Sequence, residues 1–189
     1  YPGILAVSAE FIVESDGLRL RFQARCDRAT PLNLTWHPYF DLPGEQVLRI
    51  PASHFLPVRD AQLIPTGEVA SVAGTPFDFR EPRSVRSPDP ASHPQLTIPG
   101  GYDHCWVLDE KRDCDAELRA PGVSLKVLSE RRALQFYGGQ GLPRQHPGMR
   151  GICLEPQDFP NAPNEPRFPR AILRPGTAYT TTFYYRLSD

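Results

Sequence analysis

The sequence predicts an all-β protein built as a sandwich or barrel of short strands. Apolar and polar residues alternate with a period of two in several segments, which is the pattern of half-buried strands. Twenty-two prolines and fourteen glycines punctuate these segments as turns. No window carries the 3.6-residue apolar spacing of a helix over ten or more residues. No repeat or boundary interrupts the chain, so we expect one β-sandwich domain over residues 1–189.

The first strands form a predicted hairpin. Apolar residues occupy every second position from Leu18 to Cys26, and arginine or glutamine occupies the positions between them. Asp16-Gly17 is a two-residue hairpin signal, so Glu10 to Val13 is the predicted partner strand.

The later strands follow the same alternation. The positions that share one face in these segments are Val123, Leu125 and Val127; Leu134 and Phe136; Ile152 and Leu154; and Tyr179, Thr181, Phe183, Tyr185 and Leu187. The stretch from Arg80 to Gly101 is rich in Pro, Ser, Asp and His and has no period, which predicts a long surface loop.

Composition excludes several classes of function. The formal net charge is -1, so electrostatic capture of nucleic acid or an anionic membrane is not expected. No apolar run approaches the ~20 residues needed to span a bilayer, which predicts a soluble protein. The four cysteines have no CxxC pair and no histidines at zinc-site spacing, so we expect reduced thiols, with Cys26 and Cys105 buried, and no metal. The chain opens with Tyr1-Pro2-Gly3 and its one methionine is Met149, so we expect a processed chain or a fragment.

Glu155 is the most informative acidic residue. It ends an apolar strand-like run and precedes Pro156, Pro160 and Pro163, which we expect to stop sheet pairing because proline cannot donate to a ladder. A carboxylate held rigidly at a strand exit suits a catalytic base or a ligand clamp. The alternative is an ordinary exposed loop acid.

Two further segments carry candidate chemistry. His37 lies among the aromatic residues of Asn33 to Leu42, where it could exchange a proton near neutral pH or serve only in packing. Asp103, after Gly100 and Gly101, could accept hydrogen bonds from vicinal hydroxyls or pair with His104 to cap a loop. The aromatic residues Trp36, Tyr39, Phe40, Tyr102 and Trp106 could offer a stacking face to such a ligand. The segments Ile64 to Glu68 and Gly74 to Phe79 are interpreted mainly as scaffold.

In this order along the chain, the motifs resemble those of the aldose 1-epimerase (galactose mutarotase) family. The matching segments are Asn33 to Leu42, Leu63 to Glu68, Gly74 to Arg80, Gly101 to His104, Leu134 to Gly138, Leu154 to Asn164 and Leu173 to Gly176, followed by Tyr179 to Tyr185.

The resemblance implies a large antiparallel β-sandwich, the galactose mutarotase-like supersandwich, in an enzyme that interconverts the α and β anomers of free aldohexoses without metal or organic cofactor. It implies that His37 is the general acid, Glu155 the general base and Asp103 a ligand of sugar hydroxyls. Gln157 is expected as an additional contact, and Trp36 and Tyr39 as further substrate-binding residues. The ground state is expected to hold Glu155 ionised and His37 protonated.

The match also departs from the family pattern. Trp36 and Pro38 flank His37 where the family commonly has Asn and a small polar residue. The family's N-terminal part, with an Arg and a His that contact the sugar, has no counterpart, so the chain resembles an N-terminally truncated, C-terminal portion. Unpaired sheet edges could then pair with a second copy as a homodimer. The alternatives are a non-catalytic carbohydrate-binding module and a hexose-6-phosphate 1-epimerase. The expected location is the cytoplasm.

Overall fold

The computed structural model describes residues 1–86, 88–142 and 151–189. Its strands are numbered β1 to β14 along the chain, and every pairing between them is antiparallel. The larger sheet has seven strands, in the spatial order β1 (Leu5–Glu14), β2 (Gly17–Cys26), β14 (Tyr179–Ser188), β10 (Val123–Ser129), β9 (Ala116–Ala120), β4 (Val47–Arg49) and β7 (Arg83–Ser84).

A second sheet has five strands, and a third has two. The five-stranded sheet has the order β12 (Cys153–Gln157), β11 (Ala133–Tyr137), β8 (Asp103–Val107), β5 (His54–Leu56) and β6 (Ala70–Ser71). The two-stranded sheet pairs β13 (Ile172–Leu173) with β3 (Thr30–Pro31). The predicted antiparallel β architecture is confirmed.

The main core lies between the two larger sheets. The seven-stranded sheet contributes Leu20, Leu118, Leu125, Val127 and Phe183, and the five-stranded sheet contributes Phe55, Trp106, Leu134, Phe136 and Leu154. Phe77 and Phe55 stack with their ring centroids 4.1 Å apart, and Phe77 is fully buried. Burial of this apolar surface is the main force holding the two sheets face to face.

The predicted hairpin is confirmed, with longer strands than the pattern suggested. Leu5 to Glu14 pairs with Gly17 to Cys26, and the turn closes between Glu14 and Gly17. Gly17 has a φ of 151°, and a Cβ there would collide with the carbonyl oxygen of Tyr185. Glycine is therefore needed for the β1–β2 turn to approach β14.

Pro156 does not end the strand, contrary to the sequence interpretation. It lies inside β12 and stands opposite Leu134 of β11. Since β12 is the edge strand of its sheet, the missing N–H of proline faces no neighbouring strand and removes no ladder hydrogen bond. Glu155 is consequently a mid-strand residue with a fixed direction.

The segment from Arg80 to Gly101 is more ordered than a surface loop, so that prediction was wrong in part. It contains β7, a 3₁₀ turn (Pro90–Ser92) and one helical turn (Pro94–Thr97), whose Leu96 is fully buried. The side chain of Gln95 accepts from the backbone N–H of Val58 at 2.7 Å and donates to its carbonyl at 3.0 Å. These two bonds tie the segment to the wall of the pocket described below.

All four cysteines are free; Cys105 is buried as expected, whereas Cys26 is half-buried. None of the helices within the described residues has the length and apolar character required to cross a membrane.

Candidate active site

The candidate site lies on the face of the five-stranded sheet that points away from the main core. Along β8, β11 and β12 the even-numbered side chains enter the core, so the odd-numbered ones share the opposite face. The register sets Gln135 opposite Glu155 on one side and opposite Cys105 on the other. Tyr137 likewise stands between Cys153 and Asp103. Polar groups from three strands thus meet on one surface.

His37 reaches this surface on a loop that an antiparallel bridge holds against β12. The backbone N–H of Phe40 donates to the carbonyl of Ile152 at 2.8 Å, and the backbone N–H of Ile152 donates to the carbonyl of Phe40 at 2.9 Å. If the same antiparallel register is extended by three residues, from Phe40 back to His37 and from Ile152 on to Glu155, these two residues stand opposite each other. The added Cβ of an alanine at Gly151 would lie 2.9 Å from the Cβ of Tyr39, so the loop's approach requires glycine there.

The two predicted catalytic side chains are in contact. Nε2 of His37 lies 3.5 Å from Oε1 of Glu155, close enough for an ion pair when the imidazole is protonated. Glu155 is 6% exposed, whereas the imidazole of His37 is half exposed to the pocket mouth. Burial, and secondarily the negative charge of Asp103, raise the pKa of Glu155 to about 7. Near neutral pH this carboxyl therefore exists in both its protonated and its ionised form.

Asp103 and Gln157 join the same site through Gln135. Nε2 of Gln135 donates to Oδ1 of Asp103 at 2.7 Å, and Nε2 of Gln157 approaches Oε1 of Gln135 at 3.5 Å. Burial raises the pKa of Asp103, while the bond from Gln135 and the charge of His37 oppose that shift. Gln135 was not singled out from the sequence. The sequence did contain a signal for it: Gln135 is a polar residue between two apolar ones, Leu134 and Phe136. In a strand, such a residue points to the face opposite the core, where it can line a polar site.

A pocket of about 300 Å³ opens above these groups. This size is at the lower end of the range for small-molecule sites. Its polar floor holds His37, Asp103, Gln135, Glu155 and Gln157, and its apolar wall holds Leu56, Val58, Leu63 and Pro65. Leu63 has a φ of 57°, an uncommon conformation for a non-glycine residue. Pro65, from a segment interpreted mainly as scaffold, therefore contributes to this wall of the pocket.

The aromatic residues separate into three environments. The ring of Tyr39 lies 5.0 Å from that of His37, beside the polar floor. Trp36 instead packs edge-on against Phe11 and Tyr185, in an apolar groove next to the β1–β2 hairpin, so the structure does not bring it to the pocket.

Tyr102 and Trp106 are fully buried in the main core. The expectation that they offer a stacking face was therefore wrong, because no ligand reaches their rings.

His104 belongs to the core side of β8. It is 1% exposed, and burial lowers its pKa to about 3, so the imidazole is neutral at physiological pH. Its Nδ1 accepts the backbone N–H of Asp103 at 3.2 Å. The anticipated link between Asp103 and His104 exists through the backbone, and the carboxylate of Asp103 remains directed at the pocket floor.

One more side chain accompanies the pair. Cys153 lies two residues before Glu155 on the same face of β12, and the ligating atoms of His37, Cys153 and Glu155 all lie within 4.8 Å of one another. A buried carboxyl, an imidazole and hydrogen-bonding amides around a small polar floor can move protons on a neutral, hydroxyl-rich ligand.

The family model for aldose 1-epimerase matches residues 1–186. The chain belongs to the aldose 1-epimerase family. Among curated relatives, human galactose mutarotase is 37% identical over 207 residues, covering all of this chain and 59% of the human protein. The aldose 1-epimerase of Escherichia coli K12 is 34% identical over 212 residues, covering 98% of this chain and 59% of that protein. The chain therefore spans about three fifths of the length of these members of the aldose 1-epimerase family.

Solved structures give the same result for the fold. Galactose 1-epimerase from Lactobacillus acidophilus NCFM superimposes with a TM-score of 0.85 at 27% identity, covering all of this chain and 58% of that one. The GalM/aldose epimerase homologue from C. elegans superimposes with a TM-score of 0.84 at 26% identity, covering 99% of this chain and 61% of that one. The galactose mutarotase-like fold, expected from the motifs, is confirmed.

Proposed function

We propose that the protein carrying this chain is an aldose 1-epimerase that interconverts the α and β anomers of a free aldohexose by general acid–base catalysis. The observation that carries the proposal is the contact between His37 and Glu155, with the pKa of Glu155 raised to about 7. General catalysis is most effective when the pKa of the group lies near the working pH.

The proposed reaction needs two proton transfers at neighbouring oxygens. Glu155 removes the proton of the anomeric hydroxyl while His37 protonates the ring oxygen, and the C1–ring oxygen bond breaks to give the open aldehyde. After rotation about C1–C2, the two groups reverse roles and the ring closes on the other face. Both oxygens are bonded to the same carbon, so an acid and a base only 3.5 Å apart can serve them together.

The remaining polar groups hold the sugar in the proposed complex. Asp103 and Gln157 accept from and donate to its hydroxyls, Gln135 keeps Asp103 in position, and Tyr39 borders the ring beside His37. We assign no substrate-binding role to Trp36, whose ring packs elsewhere. We further propose that the protein works in the cytoplasm on sugars that carry no charge.

A phosphorylated hexose fits this pocket less well. Two carboxyl groups, Asp103 and Glu155, lie on its floor, and no arginine lines it among the described residues. A dianionic phosphate would need converging cations, which arginine supplies best. We therefore favour the unphosphorylated sugar.

Polarimetry of freshly dissolved α-galactose and α-glucose tests the proposal. Glu155→Gln and His37→Asn should each reduce the catalysed mutarotation rate by about 10²–10⁴-fold, because each removes one positioned proton-transfer group. Glu110→Gln and His54→Asn, which change exposed residues outside the pocket, serve as matched controls and should keep the parent rate.

Two outcomes would count against the proposal. Equal rates for Glu155→Gln and the parent protein would remove Glu155 from the chemistry. Saturable sugar binding by calorimetry, without any acceleration of mutarotation, would instead support a carbohydrate-binding module on this fold.

A further inference from the structure

Three side chains with different ligating atoms meet at one edge of the pocket. Cys153 and Glu155 are two residues apart on β12 and share a face, while Leu154 between them enters the core. His37 arrives from the loop that the Phe40–Ile152 bridge anchors. The imidazole nitrogen, the thiol sulfur and the carboxylate oxygen lie within 4.8 Å of one another.

This set of atoms suits a thiophilic divalent cation. Zinc binds imidazole nitrogen, thiolate sulfur and carboxylate oxygen, and many zinc sites use three protein ligands and leave a fourth position open. Metal–ligand bonds of about 2.0–2.3 Å in a tetrahedron separate the ligand atoms by roughly 3.5 Å. The pair His37–Glu155 already has this separation, and every other pair of ligand atoms lies within 4.8 Å, so the sulfur needs to move inward by at most about 1.3 Å. The half-exposed imidazole of His37 has room to rotate.

The surroundings favour a positive ion. The carboxyl groups of Glu155 and Asp103 line the same pocket and can supply negative charge to the ion. Burial raises the pKa of the Cys153 thiol to about 12, so the ion must displace the thiol proton as it binds. The Tyr39 side chain lies near the thiol of Cys153, beside the cluster. Magnesium and calcium prefer sites made entirely of oxygen ligands, so the sulfur and nitrogen select a softer ion.

We propose that His37, Cys153 and Glu155 bind one thiophilic divalent cation, such as Zn²⁺ or Cd²⁺, and that the bound ion excludes the sugar. Binding replaces the S–H bond of Cys153 with a metal–sulfur bond and releases one proton to solvent, without any change of oxidation state. Metal binding follows from the ligating atoms alone. Exclusion of the sugar rests on the proposed function, because it requires that His37 and Glu155 act on the substrate.

Absorption spectroscopy tests the metal site directly. Purified protein without a histidine tag is titrated with Co²⁺ or Cd²⁺, and the thiolate-to-metal charge-transfer band is recorded. We expect one ion per chain and displacement of Co²⁺ by Zn²⁺. Cys153→Ser should abolish the band, whereas Cys26→Ser, at a half-buried thiol outside the cluster, should keep it.

A second variant distinguishes the loss of a metal ligand from misfolding of the protein. Cys153 is buried, so its replacement can disturb β12, whereas His37 is half exposed on a loop. His37→Gln should weaken Co²⁺ binding at least about tenfold while the matched exposed variant His54→Gln binds as the parent does. Absence of a charge-transfer band in the parent protein, or its survival in Cys153→Ser, would overturn the metal site.

Inhibition is measured separately. Zn²⁺ should abolish the catalysed mutarotation of the parent protein, and a chelator should restore it. Full activity with the site saturated by Zn²⁺ would overturn the exclusion of the sugar. A chain that binds the metal with the expected band yet never catalyses mutarotation would contradict the proposed function and leave the metal site standing.

Discussion

Glu155 shows how one residue acquires chemistry from its surroundings. The residue is 6% exposed, and its carboxyl lies near that of Asp103 and 3.5 Å from the imidazole of His37. Burial disfavours the charged form and the neighbouring negative charge adds to this, which together raise the pKa from 4.5 to about 7. The ionised form, which is the proposed base, therefore gains population as pH rises through about 7.

The pH dependence of catalysis should report this shift. We expect kcat/KM for mutarotation to rise with pH along an acidic limb near pH 7, because protonated Glu155 cannot accept a proton. Asp103→Asn removes the second cause of the shift, so the limb should move to lower pH, in addition to any loss of sugar binding. Glu110→Gln is the matched control and should leave the limb in place. A parent limb at the ordinary value for glutamate would contradict the raised pKa.

Among the structural elements, the edge strand β12 and the loop before Phe40 decide the site's geometry. The strand sets Cys153, Glu155 and Gln157 on one face, and the bridge to Ile152 brings His37 to them. Gly151 permits this approach because a side chain there would meet Tyr39.

Gly151→Ala should therefore damage catalysis through position alone. The new methyl group would lie 2.9 Å from the Cβ of Tyr39, so the loop carrying His37 must shift outward. A displacement of this order can cost up to about 10²-fold in rate, which kcat/KM by polarimetry would detect. Gly122→Ala, at a left-handed position with open space around it, should cost about 1–2 kcal/mol of stability but no activity. Parent-like activity of Gly151→Ala would show that the loop position is not critical.

At the scale of the whole molecule, the outer strand of the seven-stranded sheet, β1, exposes apolar side chains to solvent. The residues of β1 that pair with the core-facing residues of β2 are Leu5, Val7, Ala9, Phe11 and Val13. They point to the same side as the core, yet Val7, Phe11 and Val13 are exposed. An apolar row on a ten-residue edge strand is a surface for pairing with another strand.

We expect this 189-residue chain to self-associate through β1, with a second copy adding its own β1 in antiparallel fashion. Sedimentation velocity over a range of concentrations measures the effect. Val7→Lys places a charge on the apolar row and should shift the equilibrium towards monomer. Ile172→Lys changes an exposed apolar residue on β13 and should not. If Val7→Lys and Ile172→Lys showed the same concentration-dependent sedimentation, β1 would be ruled out as the interface.

The sequence by itself determined which residues share a face of a strand. Alternation identified β2, β10, β11 and β14, and Asp16-Gly17 identified the first hairpin, because side-chain direction in a strand and the geometry of a two-residue turn are local properties. The order of motifs identified the family, and through it the candidates His37, Asp103 and Glu155.

Only the tertiary structure decided which face is covered and which side chains meet. Trp36, Tyr102 and Trp106 looked equally available in the sequence, but packing of the two sheets buried Tyr102 and Trp106 and turned Trp36 into another groove. Gln135 and Cys153 entered the site because strand register, which depends on contacts between residues far apart along the chain, placed them beside Asp103 and Glu155. The proton affinity of Glu155 also depends on its depth of burial, and no local pattern in the sequence specifies that depth.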